Sequence, residues 1–230
     1  MATQSQDDEA ERLFAFFDRS TRGFFAEVGL RSPTDGSRTW PLEAAGWTGA
    51  LVEPQPDLAA FLVTARKAAV FACACVAPDA AGEPLALRVT SPLAGIDVGR
   101  PASTPPSNYT IMVPTRTLDD VLREADAPQP LDFLTLDARG HELDALLGFD
   151  FARWQPKLIA IADPVYDLDR HRFLNASGYR LIQRVAGCGW YVPAGSPAAQ
   201  RRGVTILRDN YLALPFRKLW RALRRTAVPG

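Results

Sequence analysis

Hydrophobic residues along this chain fall into short continuous runs, separated by segments where they recur every three or four positions. The runs at residues 24–28, 50–52, 70–76, 131–136 and 158–162 have the length and largely apolar character of strands buried on both faces. Helix-length segments lie between them at 38–45, 57–67, 118–124 and 142–147. Strand and helix alternating at this pitch predict βαβ units and a mostly parallel sheet with helices on both faces. Residues 179–185 and 189–192, split by Ala186, Gly187 and Cys188, read as an antiparallel hairpin closing that sheet. Ahead of the first strand, Leu13, Phe14, Phe16 and Phe17 stand among charges over residues 8–19 and predict an amphipathic lead-in helix on the sheet edge. The stretch 95–108, rich in Pro, Gly and Ser, predicts a surface loop or lid within the domain. The fold class expected is α/β, a Rossmann-like doubly wound sheet.

Composition narrows this picture. At 230 residues and 47% hydrophobic content, the chain can bury one sizeable core over residues 1–200. No uncharged apolar run approaches the 18 or so residues of a membrane span, and the N-terminus opens on Asp7, Asp8, Glu9 and Glu11, so a cytoplasmic location is expected. Three cysteines, Cys73, Cys75 and Cys188, fit a reducing compartment, and with His141 and His171 as the two histidines they read as buried thiols, not metal ligands.

The zero net charge conceals an asymmetry: residues 201–230 carry eight basic and one acidic side chains (+7), the remainder 18 basic and 25 acidic (−7). After Pro215, the residues Phe216, Leu219, Trp220 and Leu223 share one helical face flanked by Arg217, Lys218, Arg221, Arg224 and Arg225. Residues 211–225 therefore predict a basic amphipathic helix. Such a helix suits either an anionic membrane surface or the acidic body of its own or a neighbouring subunit in a homo-oligomer. It is too narrow a basic face for nucleic acid.

Candidate chemistry gathers where the strands end, because open α/β sheets bind ligands beyond the carboxyl ends of their strands. The first strand ends in Glu27-Val28-Gly29, and the second in Glu53-Pro54, where a carboxylate can accept both hydroxyls of a ribose. No G-x-G-x-x-G or G-x-x-x-x-G-K-[ST] run is present, which disfavours dinucleotide and triphosphate cradles and leaves adenosine without phosphates. The fourth strand delivers Leu136-Asp137-Ala138-Arg139-Gly140-His141-Glu142, followed by Gly148-Phe149-Asp150.

In combination, Glu27-Val28-Gly29, Gly46-Trp47, Glu53-Pro54, Leu136-Asp137, Gly140-His141-Glu142, Gly178-Tyr179 and Trp190-Tyr191-Val192 resemble the FkbM-type methyltransferases. That resemblance, over about residues 20–193, implies S-adenosylmethionine as cofactor and a hydroxyl of a sugar, glycan or polyketide-like small molecule as methyl acceptor. It implies a cofactor site built from Glu27, Gly29, Ser37, Glu53 and Pro54, with Asp35 and Gly36 supplying the first loop if the alignment shifts there. Without a shift, Leu30-Arg31-Ser32-Pro33 and Ser37-Arg38-Thr39 stand where the family has Ala-x-Asp-Gly and Ser-Asn-Thr. Arg139 and Asp163 occupy positions where the family commonly has glutamate.

Methyl transfer to an alcohol requires positioning and removal of the hydroxyl proton. Asp137 is the expected base, with His141 and Glu142 as partners. Arg139 cannot take a proton, and reads either as a clamp on an anionic substrate group or as a surface ion pair with Asp144 or Glu142. Asp163 joins it as a substrate-facing residue. The rival reading is a catalytically inactive methyltransferase-like binding or scaffold protein. A nicotinamide-linked oxidoreductase would need the absent glycine-rich turn.

Overall fold

The computed structural model describes residues 2–89, 109–162 and 168–200. The predicted loop at 95–108, the substrate-facing Asp163 and the tail at 201–230, with its basic helix at 211–225, lie outside the described residues.

Eleven strands occur among the described residues: β1 Phe24–Val28, β2 Thr48–Val52, β3 Ala69–Phe71, β4 Ala74–Cys75, β5 Leu85–Val89, β6 Tyr109–Val113, β7 Thr115–Arg116, β8 Phe133–Leu136, β9 Leu158–Ala162, β10 Tyr179–Val185 and β11 Cys188–Pro193. The helices are α1 Ala2–Phe16, α2 Trp40–Ala44, α3 Pro56–Ala65, α4 Leu118–Glu124, α5 Glu142–Leu147, α6 Phe151–Trp154, α7 Asp169–Ala176 and α8 Pro197–Gln200. Seven strands form the central sheet in the order β10-β11-β9-β8-β1-β2-β3. The pairs β1–β2, β1–β8, β2–β3 and β8–β9 are parallel, whereas β11 runs antiparallel to both β9 and β10.

Side-chain alternation sorts the sheet into two buried faces. Ala26, Val28, Ala50, Val52, Leu134, Leu136, Ile159 and Ile161 pack against Leu118, Leu122, Leu146, Trp154 and Leu174. On the opposite face Phe25, Leu51, Phe133, Leu158, Ala160 and Trp190 pack against Leu13, Leu42, Trp47, Leu58 and Leu62. Glu27 and Thr135 share the parity of Phe25 and Phe133, which places polar side chains in the second layer near its carboxyl-end rim.

Several elements differ from the sequence expectation. The lead-in helix lies across the sheet face and not on its edge: Phe17 meets the rings of Trp47 at 4.8 Å and of Phe133 at 6.1 Å, and β8 is central. An aromatic cluster of this size is buried most fully over the middle of a sheet. The run 70–76 is two strands, because a turn in which Cys73 N donates to Phe71 O sends Ala74 and Cys75 to pair with β7. Cys73 and Cys75 are buried, and burial pushes the Cys73 thiol up to about 11, as expected of apolar thiols. The β5–β6 hairpin and α7 stand outside the predicted set.

Candidate functional site

The chain runs from β1 outward to β2 and β3 on one side and from β8 to β9 on the other, so the order reverses between β1 and β8. In such sheets this reversal opens a crevice at the carboxyl ends. Here the ends are level, with Gly29 N donating to Val52 O and Asp137 N to Val28 O, each at 2.9 Å. Gly29 has φ +81°, and a methyl group added there would overlap the carbonyl oxygen of Asp137. The closeness that glycine permits is therefore to the chain's own β8 loop. It brings the loops after β1 and β8 into contact at the reversal.

Glu53 ends β2 and is buried. Its two oxygens accept from Leu30 N at 3.0 Å and from Gln55 N at 2.9 Å. Burial raises its pKa above the ordinary carboxylate value, partly offset by those two backbone donors and by the positive charge of Arg139. A carboxylate has roughly four acceptor positions, so two protein donors leave acceptor capacity on both oxygens. Pro54 is half-buried behind it. Beside it the Gln55 Nε2 atom is buried with no hydrogen-bond partner among the described residues. An unpaired buried amide costs about 1–3 kcal/mol, so Gln55 Nε2 has unused donor capacity close to Glu53 in the chain. Sequence reading missed Gln55; its side-chain amide shows as unpaired only after β2 and α3 are packed.

The first loop has turned inward. Ser37 Oγ donates to Glu27 Oε2 at 2.8 Å, Thr39 Oγ1 donates to the same oxygen, and Arg38 N donates to Oε1 at 3.3 Å. Both oxygens of Glu27 are thus engaged by the protein. Arg66, whose side chain is fully buried, donates to Pro33 O at 2.8 Å, Ser37 Oγ at 3.2 Å and Thr39 Oγ1 at 2.9 Å, and pairs with Glu43. Glu43 also accepts from the backbone of Lys67 and Ala68. Arg38 pairs with Glu9 of α1 at 2.9 Å and donates to Cys188 Sγ at 2.7 Å. Asp35 is exposed, its backbone N donating to Ser32 Oγ at 3.3 Å, and Gly36 turns the chain with φ +78°. Ser37 and Glu27 are brought together, while Asp35 stays on the surface.

On the other side of the crevice, Asp137 is 24% exposed in its side chain, with Arg31 Nη2 3.6 Å from Oδ2. Its expected partners diverge. His141 faces solvent and lies 3.1 Å from Asp144 Oδ2. Glu142 is buried, accepts from Gly140 N, and pairs with Arg170 Nη1 at 2.7 Å. Arg170 Nη1 also donates to Ala162 O at 2.7 Å, tying α7 to the end of β9. Arg139 is exposed in the left-handed region, φ +53°, followed by Gly140 at φ +111°. The sequence alternative that paired Arg139 with Asp144 or Glu142 does not hold, because Asp144 is engaged by His141 and Glu142 by Arg170.

A cleft of about 520 Å³ opens at the amino-terminal ends of the strands, among Phe24, Thr48, Lys67, Asp126 and Asp132. It lies opposite the crevice, and Asp132 there is committed to Phe24 N and Lys157. Among the described residues, no group of three or more His, Cys, Asp or Glu is placed to hold a metal, and no helix is long and apolar enough to cross a membrane.

An open, mostly parallel α/β sheet with acidic side chains at two strand ends flanking the reversal is the class of fold that binds ligands at a switch point. The model of the Methyltransferase FkbM domain matches residues 27–181, from Glu27 of β1 into β10, and the chain belongs to the FkbM methyltransferase family. No curated protein matches it.

Proposed function

We propose that this protein is an O-methyltransferase that uses S-adenosylmethionine to methylate a hydroxyl of a sugar, glycan or polyketide-like small molecule, on a Rossmann-like domain. The observation that carries the proposal is the pair at the end of β2: a buried carboxylate with spare acceptor capacity beside a buried, unpartnered amide. That set fits a ribose, whose adjacent hydroxyls donate to Glu53 while an oxygen accepts from Gln55. Adenosine needs no phosphate cradle, and none is present.

When bound, S-adenosylmethionine supplies an electrophilic methyl group on a sulfonium. Glu53 and Gln55 hold the nucleoside, Gly29 keeps the β1 and β8 loops in contact, and Asp137 stands at the end of β8 to take the acceptor's proton. Arg139 and Asp163 are assigned to the acceptor side. His141 orients Asp144 and the exposed start of α5, and Glu142, through Arg170, fixes the loop that carries Asp137.

A second reading, a methyltransferase-like binding module without turnover, is favoured by one observation. Glu27 and Ser37 satisfy each other, so the first loop is occupied with its own side chains. Asp137→Asn separates the two. In an enzyme it lowers turnover by roughly 10²–10⁴, measured with radiolabelled methyl donor, while cofactor affinity changes far less. Cofactor binding in the wild type without transfer to any of a broad panel of hydroxylated acceptors would establish the binding module.

A further inference from the structure

We infer that Arg31 and Arg139 form a two-armed cationic clamp at the mouth of the crevice, and that the methyl acceptor is an alcohol bearing an oxyanion, a carboxylate or a phosphate. The inference rests on the reading of this crevice as the methyl-transfer site. Its starting point is connectivity: Gly29 packs on the Asp137 carbonyl, and Arg31 and Arg139 each follow two residues after one member of that contact. The two arginines therefore stand on the two loops that meet at the reversal. Arg31 reaches Asp137 at 3.6 Å, and Arg139 lies within electrostatic reach of Glu53.

The local charge balance then singles out Arg139. Three carboxylates stand within five positions of it, and each already has a nearer side-chain partner: Asp137 has Arg31, Glu142 has Arg170, and Asp144 has the His141 ring. Among the described residues Arg139 has no ion-pair partner, and its backbone holds a left-handed conformation that costs a non-glycine residue roughly 1 kcal/mol or more. Arg31 is 68% exposed and, among the described residues, its one ion-pair contact is the long one to Asp137, so its fork also has donors to spare. Two planar five-donor groups flanking one opening suit bidentate recognition of a carboxylate or phosphate better than of a neutral hydroxyl. Such a clamp holds the acceptor at its anionic end and leaves a neighbouring hydroxyl for Asp137.

The test uses the full chain with three sugars of one skeleton, glucose, glucuronate and glucose 6-phosphate, titrated calorimetrically in the presence of S-adenosylhomocysteine. One or both anionic sugars should bind at least about tenfold tighter than glucose, with the advantage shrinking as salt is added. Which of them gains separates a carboxylate from a phosphate preference. Arg31→Ala combined with Arg139→Gly should abolish the advantage. Because glycine accepts φ +53° freely, the variant should melt no lower than the wild type. Arg139→Lys, which keeps charge but not the fork, should retain only part of the preference. Equal affinity for all three sugars, or a preference unchanged in the double variant, would overturn the clamp. Failure of S-adenosylhomocysteine to bind, with an arginine-dependent anion preference intact, would instead reject the cofactor assignment, keeping the two arginines as an anion site and overturning its assignment to a methyl acceptor.

Discussion

Gly29 and Arg66 show how single side chains set this site. At Gly29 a positive φ and direct packing on Asp137 coincide, so alanine there meets both backbone strain and overlap with a carbonyl. Gly29→Ala should destabilise the protein by roughly 2–4 kcal/mol or shift the β8 loop, as strain and overpacking together do, read by urea denaturation. Arg66 joins the first loop to α2 through Pro33, Ser37, Thr39 and Glu43. Arg66→Ala leaves the Glu43 carboxylate buried without its cation and should cost about 3–5 kcal/mol in the same assay. A loss below about 1 kcal/mol would mean that solvent reaches the network. The positions of Glu27 and Glu53 at the ends of β1 and β2 were legible in the sequence because each follows an apolar run that reads as a strand. The unpaired amide of Gln55 and the Glu142–Arg170 pair were not, since both depend on residues brought together by packing, and Arg170 sits 28 positions from Glu142.

Elements follow the same division. The strands β1, β2, β8 and β9 were legible as continuous apolar runs, because a strand covered on both faces has no polar alternation to blur it. The β5–β6 hairpin was not, since its alternating half-buried and exposed positions give a weaker signal than a buried run. Helix α7 was missed because its sequence, DRHRFLNA, buries an arginine along with Leu174. The placement of α1 on the sheet face has a direct check in Leu13, which is 1% exposed and packs in the layer of Phe25, Trp47 and Phe133. Leu13→Ala should destabilise by about 2–5 kcal/mol, the usual cost of a core leucine, as measured by thermal and chemical unfolding. A neutral substitution would return the helix to an edge or to solvent.

At the scale of the whole molecule, strand order places one buried carboxylate, Glu53, where it can report on the site. Burial raises its pKa, against the partial opposition of the Leu30 and Gln55 amides and Arg139, so it takes up a proton at a higher pH than an ordinary carboxylate. The ionised form is the better acceptor for ribose hydroxyls, hence binding favours deprotonation. S-adenosylmethionine affinity should accordingly fall as pH is lowered, beginning above the ordinary glutamate range, and this loss should be flattened in Glu53→Gln. The FkbM domain match runs from the end of β1 into β10. The most direct measurement is calorimetric titration of the full chain with S-adenosylmethionine, for wild type and Glu53→Ala. The expected result is saturable one-site binding in the wild type and at least about tenfold weaker binding in the variant, from loss of a charged acceptor worth roughly 1.5–3 kcal/mol. Absence of binding by the folded wild type, or equal affinity in a folded Glu53→Ala protein, would contradict the assignment.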